Sequence, residues 1–213
     1  MEGGENLASE TSGTVPSDLT GNEFVVDQKF FSLGKKYFIK DETRETVAYC
    51  ERESLFKEGL AVYTDESKSE ELFSIKQKSL TKFTGLFEVM ASDGSVVGYL
   101  RRKGFRSLVR DEWSVLDPEK ETIGSARSDY LLKDIARMKY LKKIPYRYEL
   151  YHGGKKIGVY KQRLTLLRNS YKMQIKEDGG LDRRLLLSLA ICLDAVEEKY
   201  RKLKYRKGFL ALF

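Results

Sequence analysis

One histidine, His152, and two separated cysteines, Cys50 and Cys192, are all that the 213 residues offer of the side chains most used for catalysis and metal binding. His152 stands beside Gly153-Gly154, at an expected hairpin tip. There a general base would lack both a buried pocket and an orienting partner. Two isolated cysteines exclude a Cys-rich metal centre and a disulfide framework. The stretch from Glu177 to Asp182 is acidic but lacks the alternating oxygen ligands of a calcium loop, and Asp182 reads better as a helix N-cap. No serine nucleophile elbow and no phosphate-cradling glycine loop is present. The expectation is a non-enzymatic protein with no catalytic residues, no metal site and no cofactor.

Charge is the remaining source of chemistry. The formal charge is +7, from 39 Lys and Arg against 32 Asp and Glu, and its placement matters more than its sum. Residues 1–23 carry five acids and no base. Six cations between Lys199 and Lys207 have no acid among them, so the pI near 9.2 is mostly a property of the C-terminal tail. Two basic groups are candidate seats for an anionic headgroup. The first is Arg101, Arg102, Lys103 and Arg106, flanking Gly104-Phe105 where a strand ends. Strand alternation sends Arg101 and Lys103 to one face and Arg102 to the other, so only part of the group can converge on a ligand; Asp111 and Glu112 are close enough to neutralise it. The bland alternative is a solvated strand end that blunts edge pairing. The second is Lys202, Lys204, Arg206 and Lys207, followed by Phe209 to Phe213. That pairing of cations with apolar residues suits an anionic membrane surface, or else a basic end whose last residues cover the mouth of the fold.

These groups must be held by a scaffold, and the rest of the chain describes one. Residues 1–23 read as a disordered acidic leader, without the basic start and apolar run of a signal peptide. From Phe24, short runs rich in Phe, Tyr, Val and Ile alternate with turn residues, giving about twelve strands. Four hairpins share one template: an aromatic, a spacer and an apolar residue, then a turn, then an apolar residue followed by a small one. They are Tyr37-Phe-Ile39 to Val47-Ala48, Phe87-Glu-Val89 to Val97-Gly98, Trp113-Ser-Val115 to Ile123-Gly124, and Tyr148-Glu-Leu150 to Ile157-Gly158. Asp93-Gly94 and Gly153-Gly154 supply the positive φ of tight turns. The return-strand glycines let another backbone approach or let the sheet bend. The regularity predicts a curled, antiparallel sheet.

Two segments leave the β pattern. Between Asp129 and Lys142, apolar residues at helical spacing behind Asp129 or Ser128 predict a short helical insert. From Leu185 to Val196 the chain reads LLLSLAICLDAV, helical and apolar nearly all round, which demands burial on every side. Twelve residues at ~1.5 Å each reach only about 18 Å, short of the ~30 Å hydrocarbon layer. Charges close both ends, so the helix belongs inside protein. The fold expected is mainly β: an antiparallel barrel enclosing its own C-terminal helix, with Cys192 as an inert core thiol.

The order of features resembles the LURP-one-related family of the tubby C-terminal-like superfamily, with phospholipid scramblases as more distant relatives. The residues carrying the resemblance are Tyr37-Phe-Ile-Lys-Asp41, FEVMASDGSVVGYLRRK, WSVLDPEKETIGSARSD, YELYHGGKKIGVYKQR and YKMQIKEDGGLDRRLLLSLAICLD, spanning residues 24–198. The resemblance implies a twelve-stranded barrel around a central hydrophobic helix; the charges mark 199–213 as a basic tail beyond it. It also implies an intracellular, cytoplasmic protein, peripheral to membranes and without a transmembrane span, whose partner is anionic phospholipid or phosphoinositide. The cysteine-rich stretch of scramblases is missing. The other readings are a protein-interaction scaffold docking through its aromatic residues and helical insert, and, least favoured, a nucleic-acid-binding module.

Overall fold

A computed structural model describes residues 16–31, 34–52, 59–80, 84–103, 112–129, 147–164, 169–176 and 180–197. Twelve strands form one closed antiparallel barrel: β1 (Glu23–Phe31), β2 (Gly34–Lys40), β3 (Thr46–Arg52), β4 (Leu60–Tyr63), β5 (Glu71–Leu80), β6 (Gly85–Ala91), β7 (Val96–Arg102), β8 (Glu112–Leu116), β9 (Thr122–Ser128), β10 (Arg147–His152), β11 (Lys155–Leu164) and β12 (Asn169–Ile175). Neighbours in sequence are neighbours in the sheet, and β1 closes the ring against β12. Closure removes the unpaired edges that an open sheet of this size would expose. Helix α1 (Arg183–Cys192) follows the last strand and is buried from Arg184 onward.

Antiparallel pairing sorts the connections into two groups. The turns 41–45, 64–70, 92–95, 117–121 and 153–154 lie at the end where α1 begins, here the entry end. The opposite end, toward which α1 runs, is the far end. The expected helical insert beyond Asp129 lies outside the described residues, and Ser128 is the last residue of β9.

The hairpin template maps onto the barrel interior. Its aromatic residues Tyr37, Phe87, Trp113 and Tyr148 are all fully buried. Its apolar and small residues face each other across the strands: Ile39 opposite Ala48, Val89 opposite Gly98, Val115 opposite Gly124 and Leu150 opposite Gly158. Just beyond each pair the register shifts by a bulge, which bends the strand toward closure. The small residues are needed. A Cβ on Gly158 would come within 2.5 Å of the Gln174 carbonyl, and one on Gly124 within 2.8 Å of the Leu181 side chain.

Turns 41–45, 91–95 and 117–121 share one backbone design. The first amide bonds the fifth carbonyl, and the fourth amide bonds the first carbonyl. The fourth residue takes a positive φ, 71° at Arg44, 85° at Gly94 and 69° at Lys120. This is a type I turn closed by a left-handed residue. Glycine is dispensable there in two of three copies, because the Asp41 and Asp117 carboxylates accept from the fifth amide and hold the turn.

Two boundaries differ from the sequence expectation. β1 starts at Glu23, the last residue of the expected leader, since Phe24 and Val26 alternate into the core together with Gln28. The helical run ends in a π-helical turn, Leu193–Glu197, not in a continued α-helix. Upstream of β1, Ser17–Leu19 form a 3-10 turn and Leu19 is fully buried at the core.

Candidate functional site

The entry end is closed by packing and hydrogen bonds. Asp182 caps α1, accepting from the Arg184 amide at 2.8 Å, and the same carboxylate holds the buried Arg184 guanidinium. Arg183 reaches the Gly21 carbonyl and the Asn22 side chain. The Ile175 amide bonds the Asn22 carbonyl. The segment before β1, the end of β12 and the start of α1 are thus tied together. The N-cap expected at Asp182 is in place.

The far end is built around Asp194, in the π-helical turn and 2% exposed. Its Oδ2 accepts from Gln28 Nε2 at 2.6 Å and from the Tyr37 hydroxyl at 2.7 Å; its Oδ1 accepts from the Tyr171 hydroxyl. Lys35 Nζ lies 3.7 Å from Oδ2. These partners come from β1, β2 and β12, the three strands that close the ring, so one carboxylate on the helix fastens the seam. Burial pushes the Tyr37 phenol well above the usual tyrosine range, and the Asp194 charge adds to this. Tyr37 therefore stays a neutral donor. The π turn widens the helix there, a feature common where a helix side chain must meet a specific site.

Inward-facing positions become polar on approaching the far end. Counting back by two from Ile39 and Tyr37 reaches Lys35; counting on from Ala48 and Cys50 reaches Arg52. Lys35 and Arg52 are direct cross-strand partners. On the other side of the barrel, Arg102 points inward and is 4% exposed, in register with Gly85 and Trp113.

The basic group expected at the end of β7 does not converge. Arg101 is exposed on the outer face while Arg102 turns inside. Lys103 donates to Glu112 Oε1 at 2.8 Å, and Arg127 approaches the same carboxylate at 3.5 Å. Alternation and neutralisation by Glu112 both act as the sequence suggested. Arg106, Lys202, Lys204, Arg206 and Lys207 lie outside the described residues. His152 is half-buried, with Nδ1 2.7 Å from the Ile123 carbonyl, so that nitrogen carries the proton and ties β10 to β9. It stands at the hairpin tip, as expected, but with a backbone partner there. Cys50 and Cys192 are fully buried, and burial pushes both thiols far above their ordinary range. Neither is a nucleophile. No cluster of metal-binding side chains occurs among the described residues.

Charge divides the two ends. The three residues of each strand that border the far end include Lys29, Lys35, Lys36, Arg52, Lys78, Arg101, Arg102, Arg127, Arg147 and Arg163, against only Glu51, Glu112 and Glu149. The entry-end turns reverse this: Asp41, Glu42, Glu45, Asp65, Glu66, Glu70, Asp93, Asp117, Glu119 and Glu121 stand against Arg44, Lys68 and Lys120. Some far-end cations are engaged locally. Lys29 lies over the Phe38 ring at 4.3 Å, Lys78 pairs with Glu88 and Arg147 with Asp129. No helix among the described residues is long and apolar enough to cross a membrane.

Comparison with known proteins agrees with this architecture. One solved structure, a protein of Arabidopsis thaliana determined by X-ray crystallography, aligns with a TM-score of 0.51 and 10% sequence identity, covering 87% of this chain and 99% of the other. At that identity the likeness speaks for the fold alone. No curated protein matches the sequence. The family model described as LURP-one-related matches residues 22–194, from the residue before β1 to the carboxylate that fastens the barrel seam, and the chain belongs to the LURP-one-related family.

Proposed function

We propose that this is a non-enzymatic barrel that binds anionic phospholipid surfaces through its far end. The observation that carries the reading is the charge division: ten cations against three carboxylates border that end, and the opposite turns carry the reverse. A body so polarised is steered with its basic end toward a negative surface and its acidic end away from it. The helix delivers the chain to the same end, and the sequence then continues into the tail that holds Lys202, Lys204, Arg206 and Lys207. Arg101, exposed at the rim, belongs to the same surface. Of the ten, Arg102 is turned inside and adds only to the overall field, and Lys103 beyond it is paired with Glu112.

Each cation near an anionic leaflet contributes about 1 kcal/mol, so four supply roughly 4 kcal/mol, on the order of a thousandfold in partitioning. The test is sedimentation with vesicles containing phosphatidylserine, across a salt series, comparing the wild type with a variant carrying Gln at 202, 204, 206 and 207. A large, salt-sensitive loss with unchanged melting temperature supports the reading. Equal binding by both proteins, or none by either, rejects it. Filter binding to duplex DNA runs alongside, because nucleic acid would answer to the same charges; failure to bind either would favour a protein scaffold.

A further inference from the structure

We propose that Lys35 and Arg52 form a seat for a single phosphate group inside the far mouth of the barrel. The inference deepens the reading of the far end as an anion-binding surface, and rests on it. Like charges directly opposite on adjacent strands repel, yet Lys35 and Arg52 are cross-strand partners on the inner face. Asp194, the carboxylate beside Lys35, is already engaged. It accepts from Gln28, Tyr37 and Tyr171, and Lys35 approaches it at 3.7 Å. Arg52 Nε is buried without a hydrogen-bond partner among the described residues. Its charge is felt by both buried thiols, Cys50 on the wall and Cys192 on the helix, as expected of a side chain on the inner face.

A buried guanidinium donor with no acceptor, next to a lysine, asks for an oxyanion. A phosphomonoester carries about −1.5 to −2 charges at neutral pH and three acceptor oxygens, enough for the Arg fork and the Lys ammonium together. The seat is separate from the rim. Arg101, at the same end of the barrel but on its outer face, takes no part in it.

The test is calorimetric titration of the full chain with inorganic phosphate, against chloride at matched ionic strength. Saturable binding is expected for the wild type. Arg52→Gln should weaken it tenfold or more, Arg52→Lys should recover part of the loss, and Lys155→Gln, exposed at the entry end, should leave it unchanged. A second arm compares vesicles of phosphatidylcholine with phosphatidic acid against those with phosphatidylserine, at equal surface charge. A preference for phosphatidic acid that disappears with Arg52→Gln identifies a lipid phosphate as the ligand. Phosphate binding without that preference identifies a soluble one. Equal phosphate affinity in the wild type and Arg52→Gln, or no saturable binding in either arm, overturns the seat. Because free phosphate reports without a membrane, failure of the seat and failure of vesicle binding are read separately.

Discussion

The two ends of the barrel solve the same problem, stopping a cylinder of strands around one helix, in opposite ways. The entry end uses short turns, four of the five stitched by their own carboxylate, and seals the opening with Leu19, Leu181 and the bonds made by Asp182, Arg183 and Arg184. The far end keeps its inner layer polar. Gln28, Tyr37, Tyr171 and Lys35 gather there around one carboxylate, with Arg52 opposite Lys35 on the next strand. Apolar closure is tolerant, since packing is spread over many contacts. A polar layer is specific and fragile, because each donor left without its acceptor carries a full desolvation penalty. Where a protein keeps such a layer instead of filling it with leucine, the polar groups have a role in closing or in binding.

The largest effect should come from striking what the two ends share. Leu189, 1% exposed in the middle of α1, when changed to Asp would force an unpaired carboxylate against the barrel wall. A loss of several kcal/mol is expected, enough to unfold a domain of ordinary stability. Circular dichroism and gel filtration read this directly; a soluble, cooperatively melting variant near the wild-type temperature would place the helix outside the barrel.

Next comes the far end alone. Asp194→Ala takes the shared acceptor away from Gln28, Tyr37 and Tyr171 and removes the negative charge beside Lys35. The expected loss is about 3–5 kcal/mol. Amide exchange should rise first at the far-end halves of β1, β2 and β12, while the amides of Asn22, Ile175 and Arg184 stay protected. A uniform rise would break the distinction between the ends.

A test of entry-end packing is smaller. Gly158→Ala puts a Cβ within 2.5 Å of the Gln174 carbonyl, where backbone must move, and should cost about 1–3 kcal/mol in urea unfolding. Gly94→Ala, with open space around it but a φ of 85°, should cost only about 1 kcal/mol, from strain alone.

The smallest effect is acid sensitivity of the entry-end turns. The Thr43 hydroxyl and the turn amides hold the Asp41 carboxyl below its usual range, and Ser95 and Ser67 do the same for Asp93 and Asp65. A carboxyl whose folded value lies below its unfolded one stabilises fully above the unfolded value, and that contribution fades as pH falls through the folded value. Melting temperature should therefore drop as pH falls below about 4, and Asp41→Asn with Asp93→Asn should flatten that drop slightly. All three groups are exposed, so the change is in slope only.

The parts of this molecule legible in the sequence are those written locally. The aromatic-x-apolar template, its turns and the return-strand small residues need no more than period-two alternation and turn chemistry, and all four copies fall on the barrel interior as one set. The all-apolar helix announced its own burial. The Asp194 cluster was not legible, because a lone aspartate in an apolar run says only that it is polar; its partners Gln28 and Tyr37 are 166 and 157 residues away. Lys35 and Arg52 were passed over for a different reason. Local density drew attention to Arg101, Arg102, Lys103 and Arg106, whereas direction, not density, decides which cation enters the lumen. Counting back by two from Tyr37 would have found Lys35.

The pairing of β1 with β12, followed only then by the helix, sets an order in time as well as in space. The ribosome delivers the first strand roughly 150 residues before its partner, on the order of ten to thirty seconds at ordinary elongation rates. Throughout that interval the inward faces of the earlier strands have neither a closed ring nor a core to cover them. Both arrive together, with residues 169–197. A nascent chain of this design is a half-cylinder with a sticky lining, and its dependence on chaperones should fall abruptly once residues 183–197 have emerged.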